Sequence, residues 1–153
     1  MYPFLLFLHS LFRWIVLVGL LAAIIRAGRG MLTGAHFSRG DNRLRHWTAT
    51  IVHIQFMVGM VLYLQSPVVR FFWKRVSGLA SLDLLFYPVL HALLMLSAVV
   101  VVTIGSAKAK RQPSSRQKFR TMLIWFFVAL LIILIAVPWP FSPLAQRPLI
   151  RSV

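Results

Sequence analysis

The chain has 153 residues, of which 59% are hydrophobic and only 12% charged, with no cysteine and a formal net charge of +15. An average soluble domain is about 45–50% apolar and about 25% charged, so a soluble monomer of this size has no way to hide so much apolar surface, and charge-driven disorder is excluded. Disulfides, thiol catalysis, Cys-held iron–sulfur clusters and covalent c-type haem attachment fall with the cysteines, and two acids, Asp41 and Asp83, against 17 Lys and Arg leave nothing for two-carboxylate glycosidases or acidic divalent-metal cages.

A bilayer-spanning helix needs about 20 mostly apolar residues. Four stretches qualify, and they predict an all-α, four-helix up-down membrane bundle forming a single domain over 1–153. The first covers about 4–25. It has no basic leader region and no small-residue cleavage site, so it reads as part of the mature protein and not as a cleaved signal. Near its start lie His9 and, one turn later on the same face, Arg13. The second covers about 47–65, with Asp41 or Asn42 placed to cap the helix leading into it. It carries His53 and Gln55 and stops at Ser66-Pro67, where proline ends the hydrogen-bond ladder. The stretch Val68–Val76 mixes aromatic, aliphatic and basic residues and reads as an interfacial piece. The third, about 84–104, has Ser81 or Asp83 as its cap, carries His91, and is expected to end at Gly105 and the Ser-Ala-Lys run. The fourth, about 121–137, has almost nothing polar between Met122 and Val137, which suits lipid-facing or packing surface, and ends at Pro138-Trp-Pro140.

The basic residues set the orientation. Arg26, Arg29, Arg39, Arg43 and Arg45 lie between segments one and two, and Lys108, Lys110, Arg111, Arg116, Lys118 and Arg120 between three and four. The other side has Arg70, Lys74, Arg75, Arg147 and Arg151. Eleven against five places both termini on the non-cytoplasmic side. Tyr2, Tyr63, Trp73, Tyr87 and Trp139 then fall near the outer interface and Trp47 near the inner one. Nucleic-acid binding is not expected despite the charge; Lys108 to Arg120 reads as an anchor for anionic lipid.

Function is expected where polar groups are held in the bilayer at a cost. With about 1.5 Å per residue, His9 lies about 8 Å below the outer surface, His91 about 12 Å, Arg13 about 14 Å and His53 about 19 Å. Three imidazoles on three helices at overlapping depths suit a shared iron, copper or zinc ion. Arg13 needs an anion that the sequence does not supply inside the membrane, and a haem propionate or a lipid phosphate would provide one. Gly59 and Ala98 leave room either for a flat ring or for close helix packing. The spacings His53–Met57 and His91–Met95 also fit a soft Cu(I) site.

At His9-Ser-Leu-Phe-Arg13-Trp14, His53-Ile-Gln55, His91, the basic inner loop and the Pro138-Trp-Pro-Phe141 ending, the chain resembles the small membrane-bound b-type cytochromes of bacteria, short proteins labelled cytochrome B. The resemblance spans nearly the whole chain. It implies a four-helix bundle in the bacterial inner membrane, haem b ligated by histidines of facing helices, and electron transfer with a quinone or a partner redox protein. Members with two haems need four ligating histidines, two of them near the inner face, where this chain has only His46. One haem toward the outer side is therefore implied, with one histidine spare. The depths rank His9 with His91 first and His53 with His91 second. Arg13 is the propionate partner. Such a protein is an electron carrier or redox subunit rather than a stand-alone enzyme, and both homo- and hetero-oligomers are compatible with it. Two other classes remain open at this point: a cofactor-free accessory or assembly subunit, and a Cu(I)-handling protein using the His/Met pairs.

Overall fold

The computed structural model describes residues 1–74 and 85–139. They form five helices, α1 (Tyr2–Leu32), α2 (Arg39–Gln65), α3 (Pro67–Lys74), α4 (Phe86–Arg111) and α5 (Ser115–Ala136). All but α3 are long and apolar enough to cross a bilayer. The α1–α2 and α4–α5 connections are short, so each pair is an antiparallel hairpin. α1 packs on α2 and α5, and α4 packs on the same two helices. α1 and α4 therefore lie on one diagonal of the ring, and α2 and α5 on the other.

The helices start and stop for identifiable reasons, not always those expected. α1 runs past residue 25 to Leu32, because its basic end is still helical. Gly34, at φ +65°, turns the chain, and the amide of Ala35 donates back to the carbonyl of Gly30 at 3.1 Å, which closes a Schellman-type end. The cap of α2 is Ser38, not Asp41 or Asn42. Ser38 Oγ accepts from the Asp41 amide at 3.2 Å, and the Asp41 carboxylate accepts from the Ser38 amide at 2.9 Å, a reciprocal capping box. α2 ends at Gln65, capped by Ser66 before Pro67. The stretch expected at the interface is, as far as Lys74, the short helix α3, with Val69 buried and Phe71 and Trp73 exposed; its last two residues lie outside the described ones. The Ser81/Asp83 cap and the Pro140-Phe141 ending lie outside the described residues.

α4 does not stop at Gly105; it continues to Arg111. Gly105 serves the contact with α5, because a Cβ built there would fall inside the Trp125 side chain at its own Cβ. Gly30 does the same for Phe119, whose ring a Cβ would meet at 2.5 Å. Together with Ala23, Ala27, Ala98, Ala109, Ala129 and Ala136, all buried, these small residues let the backbones approach. Val18, Ile25, Leu64, Leu93 and Ile135 are exposed, as lipid-facing side chains would be. α5, nearly free of polar side chains in its apolar stretch, supplies much of the core through Phe119, Met122, Phe126, Leu130 and Ile133.

Gly105→Ala is expected to destabilise the bundle by about 1–3 kcal/mol, the usual cost of forcing extra volume into a packed interface. The Trp125 atom in the way is its Cβ, which no rotamer change can move. Gly28 has nothing within 4 Å, so Gly28→Ala should be neutral or stabilise by up to about 1 kcal/mol through helix propensity. Thermal unfolding in detergent, followed by circular dichroism, separates the two.

At the basic end Arg45 is 5% exposed. Its Nη1 donates to the Ser106 carbonyl at 2.9 Å and to Ser106 Oγ. Its Nε and Nη2 donate to Asn42 Oδ1 at 3.2 and 3.0 Å. This ties α2 to α4 without a carboxylate.

Candidate functional site: a histidine pair across the bundle

The site lies at the end of the bundle opposite the basic one. α4 opens there with a π-helical turn, Phe86–His91, which contains Pro88. Proline has no N–H and its ring crowds the preceding turn, and a wider turn absorbs both effects; such turns recur at functional sites. The Pro88 carbonyl accepts from Tyr63 Oη at 3.0 Å, and Tyr63 Oη in turn accepts from Trp73 Nε1 at 3.0 Å. α2, α3 and the π turn are thus joined directly above His91.

His91 donates from Nδ1 to the Ala136 carbonyl at 2.8 Å. A carbonyl only accepts, so Nδ1 carries the proton and Nε2 keeps the lone pair. The acceptor is free for a chemical reason. In a continued helix the carbonyl of Ala136 would take the N–H of residue 140, and residue 140 is a proline. The same rule applies four residues after Leu134, where Pro138 stands. The Leu134 carbonyl is taken by the indole of Trp139, Nε1 donating at 2.8 Å. The Pro-Trp-Pro ending therefore releases two carbonyls of α5, one for a tryptophan and one for His91.

His9, on α1, faces His91 across the diagonal, with ring centroids 6.4 Å apart and planes at 72°. Its Nδ1 is buried without a hydrogen-bond partner. A Cβ on Gly59 would lie 3.1 Å from His9 Cε1, so the glycine leaves the room the ring uses. Gln55, one turn before Gly59, donates from Nε2 to the His9 carbonyl at 2.8 Å, while its Oε1 is buried and unpaired. Trp14 Nε1 is also buried without a partner, and its ring meets Trp139 edge-on at 6.3 Å. Arg13 is one turn from His9, with its guanidinium carbon 5.7 Å from the Trp14 ring centroid. Phe86 and Tyr87 pack on His91 at 5.8 and 6.0 Å.

The histidine expected as the alternative ligand is elsewhere. His53 is exposed on the outer face of α2. Its Nδ1 donates to the Ala49 carbonyl at 2.6 Å, and its Nε2 lies 3.0 Å from Thr103 Oγ1. Met57, one turn on, is 63% exposed. The His53–Met57 pair thus faces outward and does not meet His91 and Met95. Among the described residues no three His, Cys, Asp or Glu side chains gather where they could hold a metal ion. His46, toward the basic end, is exposed beside Trp47, and His36 Nδ1 is 3.3 Å from Ser115 Oγ. The donor set at the site is two imidazoles, with Ala98 buried two turns further along α4.

The sequence singled out His9, Arg13, Gln55 and His91, offered Trp14 only within the motif that starts at His9 and Tyr63 only as an outer-interface aromatic, and gave no part to the Ala136 carbonyl. No protein-family model, curated protein or solved structure matches the chain.

Proposed function

We propose that the chain is a membrane-embedded electron-transfer protein that holds one haem b between His9 and His91. The observation that carries this is the pair itself. Two imidazoles meet across the diagonal of the bundle, and one of them has its Nε2 lone pair fixed by an Nδ1–H bond to a backbone carbonyl. That bond is the usual outer partner of a metal-bound histidine; it fixes the tautomer and raises the basicity of the ligating nitrogen.

The donor chemistry fits haem better than a bare metal ion, since the two neutral imidazoles of His9 and His91 would be enough to hold a haem iron, whereas no third ligating side chain joins them among the described residues. Bound there, held by His9 and His91, the haem would supply reversible one-electron chemistry. The protein's own residues do the remaining work. Ala136 orients His91, and Gly59 gives His9 its place. Arg13, one turn away, is the cation suited to a propionate carboxylate. In this reading the basic end faces the bacterial cytoplasm and the site faces the outer side of the inner membrane, where a quinone or a redox protein would exchange electrons.

The test is an absorption spectrum of the detergent-purified protein, oxidised and then dithionite-reduced. A b-type Soret band that shifts on reduction, at near one haem per chain, is the expected result. Folded but colourless protein from haem-replete cells would overturn the proposal and leave a cofactor-free subunit.

A further inference from the structure

The opposite end of the bundle carries a second site that the electron-transfer reading does not use. The start of α2 and the ends of α4 and α5 that meet it enclose an open cleft of about 380 Å³. Arg39, Asn42, Arg43, Lys110 and Lys118 line it, with Phe37 on its wall. Four cations thus converge without an acid among them. Asp41, the one carboxylate among the described residues, is spent elsewhere, since it pairs with Arg26 and Ser38. Among the described residues Arg39, Arg43 and Lys110 have no side-chain hydrogen-bond or ion-pair partner, and Lys118 lies over the Phe37 ring, 5.7 Å from its centroid. Arg45 holds the Asn42 carbonyl oxygen, which leaves the amide nitrogen of Asn42 as a further donor. The backbone donors of the α2 N-terminus are already used in the capping box, so an incoming anion would be held by side chains.

We infer that this cleft binds the phosphodiester headgroup of an anionic phospholipid. Several cations lining one cleft suit a phosphate, with its several charged oxygens, better than a single carboxylate. The depth assigns the source. α2 has 27 residues and is therefore about 40 Å long, which is about the thickness of a bilayer with its headgroups. The first turn of α2, with Arg39, Asn42 and Arg43, then lies in the headgroup layer. This site is independent of any haem at the other end.

Native mass spectrometry of the intact detergent-solubilised protein, titrated with phosphatidylglycerol or phosphatidylcholine, tests it. One phosphatidylglycerol should be retained in preference to phosphatidylcholine. Arg43→Gln with Lys110→Gln should weaken that retention roughly thirtyfold, at about 1 kcal/mol for each of the two cations removed near an anionic lipid. Both residues are exposed, so the fold should be unaffected, and Arg43→Lys should keep the retention. Arg111→Gln with Arg120→Gln removes the same charge at the same end but outside the cleft, and should change retention less than about twofold. Equal losses in the two double variants would reduce the effect to general surface charge and overturn the site. Displacement of phosphatidylglycerol by millimolar inorganic phosphate would overturn the lipid assignment in favour of a soluble anion, as would a chain that retains no phosphatidylglycerol.

Discussion

Replacing His91 with alanine is expected to lower bound haem from near one per chain to less than about a tenth, because second-layer changes alone cost 10–100-fold in affinity and this change removes a ligand. His53→Ala should leave the haem content unchanged, since His53 faces outward between Ala49 and Thr103. His9→Ala is the informative intermediate. If some haem is retained through His91 alone, carbon monoxide or added imidazole should bind to it and shift the reduced spectrum. The unaltered protein, with both histidines in place, should show no such shift. Haem loss in His53→Ala with full retention in His9→Ala would reverse the assignment and make His53 the partner of His91. If all three variants keep their haem, neither pair is the site.

The spans were legible because a run of about 20 apolar residues has few other uses. Their ends were less so. An apolar run marks where lipid contact ends, whereas the helix goes on until its backbone is capped. α1 therefore extends to Leu32 and α4 to Arg111, past the ends of the apolar runs. Gly105 was misread as a stop because a glycine after an apolar run is a common helix end. Only the neighbouring helix shows that Trp125 needs the space.

Within the site, residue types were legible and rotation about the helix axis was not. On α2 the faces follow from one another. Gln55 and Gly59 are four apart and both address His9, so His53, two residues before Gln55, points about 200° away at about 100° per residue. Without knowing which face meets α1, the same arithmetic places His53 equally well inside. The His91 acceptor, by contrast, was available from spacing alone. Prolines at 138 and 140 deprive the carbonyls at 134 and 136 of their helical donors, and buried or membrane-facing carbonyls so released need another N–H. What spacing does not say is which side chain arrives; the π turn at Pro88 helps set that, since it fixes where His91 leaves α4.

The basic end rests on one carboxylate, and its loss should be the most costly single change to stability. Asp41 is 4% exposed. Its Oδ1 accepts from Arg26 Nε at 2.6 Å, and its Oδ2 accepts from Arg26 Nη2 at 3.1 Å and from the Ser38 amide and hydroxyl at 2.9 and 2.8 Å. Asp41→Asn keeps the shape but turns one acceptor into a donor facing donors, and leaves the guanidinium without its counter-ion. Removing one partner of a buried ion pair costs about 3–5 kcal/mol, and weakening a cap costs about 0.5–2 kcal/mol. Arg26 is 37% exposed, so water takes back part of its charge, and a total near 3 kcal/mol is expected, within those ranges. For a chain of this length that corresponds to a fall in Tm of roughly 6–12 °C at about 2–4 °C per kcal/mol. Arg26→Gln should cost less than Asp41→Asn, because the exposed partner is the cheaper one to lose. The double variant should cost clearly less than the sum of the two, with a coupling of about 1 kcal/mol or more. Thermal unfolding in detergent measures all three. A loss below about 1 kcal/mol in Asp41→Asn, the scale of an exposed pair, would mean that Ser38 alone closes the start of α2 and that the ion pair to α1 contributes little.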